Sequence, residues 1–190
     1  AYDIINSLSE DSLADIIFYF GEERRSRKIA KAIVNKRKIK KIKTTFDLNE
    51  IVLSVKKGNN KKIHPATKTF QALRIYINNE LKDLYEALIS IEKVLSEKGR
   101  LVVISFHSLE DRIVKNFIRE NSIPLRKYDP KNPDKIFVYE NRKVIKPSEY
   151  EVKKNRRSRS AKLRWVFRSS LTLSQLNSSH NFINYGGIEC

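Results

Sequence analysis

The chain has 190 residues, 40% of them apolar, which is enough for one good core or two small ones and argues against disorder. Lys and Arg number 39 against 22 Asp and Glu, a formal charge of +17, so an anionic partner is expected and nucleic acid is the leading class. The single cysteine, Cys190, excludes an intrachain disulfide or thiolate metal site and suits a reducing cytoplasm, and the longest apolar run, near Leu13 to Phe20, is far too short to span a bilayer.

No secretory leader is visible, and no segment joins a basic face to an exposed aromatic one as a membrane-surface helix would. Methionine is absent throughout. Removal of an initiator and excision from a longer chain explain this equally well.

In chain order, residues 9–21 read as a helix capped by Ser9, with Leu13, Ile16, Ile17 and Phe20 on one face and Gly21 placed for a left-handed end. Residues 22–38 read as a second helix that buries Ile29, Ala30, Ile33 and Val34. Its other face gathers Arg24, Lys28, Lys31, Asn35 and Lys38, and "KRKIKKIK" (36–43) follows directly, which favours phosphate contact over a merely solvated face. Residues 44–55 form a third helix with Thr44 or Thr45 as cap, and the basic connector 56–62 marks a boundary. From His64 to Gly99, apolar residues recur every three or four positions from Phe70 to Leu95. A continuous helix there would be roughly 48 Å long at about 1.5 Å per residue, so a bend near Asn78–Asn79 is expected. Thr67, Gln71, Arg74 and Asn78 form a polar stripe on its first half, of the kind that lines a substrate cleft or is simply surface.

"RLVVISF" (100–106) reads as a strand apolar on both faces, hence a strand of a parallel sheet covered on both sides. Residues 108–120 are a helix with Leu109, Ile113, Val114 and Phe117 inward. Residues 121–134 are an irregular loop, 135–140 and 161–168 are strands, 148–155 is a short capped helix and 155–160 a basic loop. The Ser- and Asn-rich stretch 169–190 reads as a flexible tail. The pattern is α/β.

The joint at Phe106, His107 and Ser108 has the character of a ligand-binding strand end. Ser108 with Asp111 also resembles a capping box, and His107 could be a turn residue. There is no G-x-S-x-G elbow for a serine hydrolase, and His64, His107 and His180 lack metal-ligand spacing, so no metal is expected.

Four strings, "GEERRSRKIAKAIV" (21–34), "HPATKTFQALRIYINNEL" (64–81), "ISFHSLEDRIVKNF" (104–117) and "NRRSRSAKLR" (155–164), closely resemble in order and spacing the bacterial 16S ribosomal RNA cytosine-N4 methyltransferase family, also called MraW or RsmH. One departure is Arg156, where the family usually has proline. The resemblance covers roughly residues 1–168. It implies the C-terminal part of a class I, Rossmann-like methyltransferase sheet plus an all-helical inserted domain. Residues 1–63 would be the inserted, substrate-recognition domain and 64–168 the C-terminal half of the methyltransferase domain, with 100–106 a central strand. The implied activity is methylation of the exocyclic N4 of a cytidine in the small ribosomal subunit, with S-adenosylmethionine as donor.

The family's first strand and its glycine-rich, cofactor-holding turn have no counterpart here. The chain has five glycines and no G-x-G cluster. It is therefore expected to be a C-terminal portion, inactive without an N-terminal segment, so no cofactor ligands are assigned. The strand 100–106 would lack neighbours, which predicts poor solubility or a homodimer. Implied catalytic candidates are Ser105, His107 and Ser108. Implied RNA-binding candidates are Arg24, Lys28, Thr69, Gln71, Arg74, Arg157 and Arg159. The expected partner is 16S rRNA in the small subunit, in the cytoplasm. The alternatives are a non-catalytic basic RNA- or ribosome-binding module and a decayed product without function.

Overall fold

The computed structural model describes residues 1–56, 64–131 and 134–170. Among them are eight α-helices and one four-stranded sheet, a mixed α/β chain. It divides into two compact units, one from Ala1 to Glu80 and one beginning at Leu81. The expected boundary at residue 63, the connector from Lys57 onward and the tail beyond Ser170 lie outside the described residues.

The first unit is helical: α1 (Tyr2–Ser7), α2 (Glu10–Tyr19), α3 (Ser26–Ile39), α4 (Thr45–Val55) and α5 (Thr67–Ile77). Its core follows from the 3–4 spacing of its apolar residues. Leu13, Ile16, Ile17 and Phe20 from α2 and its end pack with α3, which contributes Ile29, Ala30 and Ile33, all at most 1% exposed. Leu48 and Val52 of α4 and Ala72, Leu73 and Ile75 of α5 close the same core. Ser9 caps α2 by accepting from the Ser12 N–H at 3.1 Å. Thr44 and Asp47 make a reciprocal capping box on α4. The short α1, absent from the sequence reading, is tied down by Arg37, which donates to the carbonyls of Ile5 and Leu8.

The expected glycine turn is corrected. Gly21 does not take the left-handed conformation; Glu22 does, with φ 49°. Glycine is required at 21 by crowding, because a Cβ there would lie 2.5 Å from the Lys68 carbonyl oxygen and 2.6 Å from that of Ile17. The long helix does break where expected: α5 stops at Ile77, Asn79 is left-handed at φ 52°, and α6 (Glu80–Val94) follows. Asparagine tolerates that conformation better than most side chains.

The second unit holds most of α6, then β1 (Arg100–Ser105), α7 (Ser108–Asn121), β2 (Ser122–Pro124), β3 (Phe137–Tyr139), α8 (Glu149–Lys154) and β4 (Lys162–Arg168), with single 3₁₀ turns at Leu125–Lys127 and Arg156–Ser160. The sheet order is β1-β4-β3-β2. β4 runs antiparallel to both β1 and β3, and β2 is parallel to β3. Leu101 pairs in register with Val166, and both are buried on the face that α7 covers. The three-residue β2 falls in the stretch read as loop, because Pro124 and its neighbours mask so short a strand.

The reading of 100–106 as a central, parallel strand covered on both faces is also corrected. Among the described residues β1 ends the sheet, and its one strand neighbour is antiparallel. Val102 and Ile104 are 52% and 54% exposed on the face away from α7. An apolar run records a strand's capacity for burial on two faces, and not which segments supply it.

Candidate functional site

The polar stripe of α5 forms one wall of a groove of about 480 Å³ lined by His64, Thr67, Phe70, Gln71 and Arg74. The structure thus brings together Gln71 and Arg74, as the sequence reading did. The Arg74 guanidinium is already oriented: its Nε and NH2 donate to the two carboxylate oxygens of Glu80 at 2.7 and 2.9 Å. Asn78 donates to the same carboxylate at 3.2 Å. A planar fork held this way keeps its direction as a ligand approaches. His64 accepts from the Ala66 N–H through Nδ1 at 3.2 Å, which fixes its ring at the groove's end. Thr69, grouped with these residues on the sequence, is fully buried and takes no part in the groove.

In the second unit the β1–α7 joint is built around Glu110. His107, not Ser108, caps α7: its Nδ1 accepts from the Glu110 N–H at 3.3 Å. Glu110 returns through Oε2 to the N–H groups of Phe106 and His107, at 2.8 and 3.3 Å. His107 Nε2 lies 3.3 Å from Glu110 Oε1, and its side chain is 11% exposed. With Nδ1 accepting, the neutral imidazole carries its proton on Nε2, toward Glu110. The imidazole is therefore committed through Nδ1 to positioning the turn. Ser105 is buried and its hydroxyl donates to the Lys162 carbonyl at 3.4 Å; Ser108 is the first residue of α7 and is exposed.

The expected Ser108–Asp111 box fails because Asp111 has stronger partners. Arg164 donates to it through Nε at 2.7 Å and NH2 at 3.3 Å, and Lys162 Nζ at 3.2 Å. Burial pushes the Asp111 carboxyl up, but these hydrogen bonds and charges outweigh it and hold it below the ordinary aspartate value. Residues 51 and 53 positions away claim the carboxylate, which no local pattern reveals. Glu110 was legible in principle, since His107 and Glu110 have capping-box spacing too.

The other candidates are surface cations. Arg157 and Arg159 are exposed on the 3₁₀ turn before β4. Arg24 and Lys28 are exposed at the start of α3, where they line a second cleft with Phe18, a residue the sequence reading assigned to no site.

The implied donor, S-adenosylmethionine, needs backbone that closes tightly over it, which glycine permits. The glycines among the described residues do not serve that end. Gly21 is filled by helix packing, and a Cβ on Gly99 would meet Leu95 and the Ser96 carbonyl at 2.8 Å, at the end of the preceding helix.

Residues 1–169 match the MraW methylase family. The chain is 49% identical over 170 residues to a ribosomal RNA small subunit methyltransferase H of Wolbachia pipientis, covering 90% of this chain and 52% of that protein. It is 51% identical over 174 residues to the protein of that name from Coprothermobacter proteolyticus, covering 90% and 53%. For the Rickettsia bellii protein the identity is 50% over 171 residues, covering 86% and 56%. The chain therefore spans about half the length of the curated relatives it matches. No helix among the described residues is long and apolar enough to cross a membrane. With the match running through both units from residue 1 to 169, the chain belongs to the MraW methylase family.

Proposed function

We propose that the chain is the nucleotide-binding portion of an S-adenosylmethionine-dependent enzyme that methylates N4 of a cytidine in 16S rRNA of the small ribosomal subunit. The observation that carries this reading is the identity of about half, sustained over 90% of the chain, to proteins named as small subunit rRNA methyltransferases. The charge of +17 supports an RNA partner. The strand–helix–strand succession β1, α7, β2 supports a Rossmann-like sheet, because β1 and β3 both oppose β4 and β2 is parallel to β3, so β1 and β2 run in the same direction. Residues 1–63 would then be the inserted recognition domain and 64–168 the C-terminal half of the catalytic one.

The N4 lone pair of cytosine is delocalised into the ring, so the amino group is a weak nucleophile. The protein's task is to hold N4 in line with the methyl group and to accept hydrogen bonds from the amino protons. The target base must leave its stack to be reached. Gln71 and the Glu80-braced Arg74 offer oriented polar groups for such a nucleotide. The His107–Glu110 box would set the end of β1, with His107 acting by position. The donor would be held by polypeptide other than the described residues.

The test has two parts. Titration calorimetry of this chain with S-adenosylmethionine alone should give no saturable heat. Mixed with the half of the Wolbachia enzyme that this chain does not match, and with small subunits, it should yield N4-methylcytidine on nucleoside mass spectrometry. Methylation of another atom would overturn the substrate assignment. Salt-sensitive RNA binding without methyl transfer in any mixture would instead support a non-catalytic RNA-binding module.

A further inference from the structure

The turn between α2 and α3 is held from several sides. Gly21 packs directly on the α5 backbone, and Lys68 donates to the Glu22 carbonyl at 2.8 Å. Glu23, only 5% exposed, accepts from the Arg25 N–H at 3.0 Å and from Lys56 at 2.5 Å, and Lys56 also donates to the Pro65 carbonyl. So firm a support displays an unusual surface. Phe18 is 49% exposed beside Tyr19, whose ring meets it edge-to-face at 5.2 Å. That contact takes up at most one face of either ring. Arg24 and Lys28 are exposed and have no ion-pair or hydrogen-bond partner among the described side chains. They belong to a run of cations, Arg24, Arg25, Arg27 and Lys28, at the positive end of the α3 dipole, with no acidic residue in its first turn. Helix stability disfavours cations there.

These residues and Asp15 line one cleft of about 450 Å³, a volume suited to a nucleotide-sized ligand. We propose that this cleft binds an unpaired ribonucleotide segment, one base stacking on Phe18 and the adjoining phosphates meeting Arg24 and Lys28. Aromatic platforms beside cations are how proteins hold unstacked RNA, whereas duplex RNA offers phosphates but no free base face. Asp15 adds an acceptor for a base amino group. An acidic peptide would use the cations and leave the ring idle. The inference rests on the proposed RNA substrate and adds where, outside the α5 groove, the strand is gripped.

The full chain is titrated with a short single-stranded RNA and a duplex of equal length at several salt concentrations. Phe18→Ala should weaken single-strand binding roughly tenfold and leave duplex binding unchanged. Phe18→Trp should retain single-strand affinity, with its emission quenched on binding. Arg24→Gln with Lys28→Gln should reduce the salt slope for the single strand by about 1.4, at about 0.7 per phosphate contact. Thermal unfolding of each variant checks the fold, which these exposed positions should leave intact. Single-strand affinity indifferent to Phe18→Ala overturns the proposal, as does an equal loss in the Ala and Trp variants. Because no methyl transfer is read, these outcomes are independent of the proposed activity: Phe18-dependent binding without any N4-methylcytidine would sink that activity alone.

Discussion

The two units each fasten distant segments with a carboxylate, buried at Glu23 and half-buried at Asp111, yet they differ in how completely they bury themselves. Glu23 joins Lys56 in the helical unit as Asp111 joins Arg164 and Lys162 in the sheet unit. In both, burial pushes the carboxyl up and the cationic partners more than offset it, so both lie below their ordinary values. The helical core closes, with Leu13, Ile17, Phe20 and Ile29 entirely out of solvent. The sheet covers one face of β1 with α7 and leaves Val102, Ile104 and Phe106 each more than half exposed. Helices that find their partners among near neighbours in sequence complete a core locally. A sheet needs cover on both sides, and here one side is bare among the described residues.

The sharpest way to break this contrast is to truncate matched apolar residues. Ile17→Ala should cost about 2–5 kcal/mol in urea unfolding followed by circular dichroism. Ile104→Thr, on the bare face, should stay within about 0.5 kcal/mol. Equal costs would mean that the face is covered in solution. Next in size, Gly21→Ala should destabilise by about 1–3 kcal/mol, since its Cβ meets backbone oxygens that cannot step aside. Asp111→Asn leaves Arg164 and Lys162 without their counter-charge and should cost about 1–3 kcal/mol. Trp165 on β4, the one tryptophan, reports it by fluorescence.

The same pair makes a pH prediction. The folded pKa of Asp111 lies below its unfolded value, so its stabilisation is complete above about pH 4 and is lost as pH falls through the lower folded value. Denaturation curves of Asp111→Asn should lack that part of the acid-side slope. The smallest effect is Thr44→Ala, about 1 kcal/mol for one lost cap.

Much of the helical unit was legible because its signals are local. Ser9 and Thr44 cap where expected, and the 3–4 spacing named the buried faces of α2 and α3, except that Val34, expected in the α3 stripe, is only half-buried. The break at Asn78–Asn79 followed from length and residue type. The α5 stripe led to Gln71 and Arg74, whereas Thr69, a candidate only through the family resemblance, has an angular position that turns it into the core. Ser108 was read as a cap because serine is the commoner cap residue, and Asp111 looked like its partner. Phe18 went unnoticed because it stands one residue beyond an apolar face that already accounted for Ile17.

Composition and periodicity alone determined that this is a basic, mixed α/β chain, and its four strings sufficed to place it in its family. Charge and spacing act over one or two helical turns, and those are written directly in the chain. Tertiary structure alone decided which carboxylate meets which cation, why residue 21 must lack a side chain, and which face of β1 is left open. Each of these depends on atoms brought together from segments far apart in sequence, where no local pattern reaches.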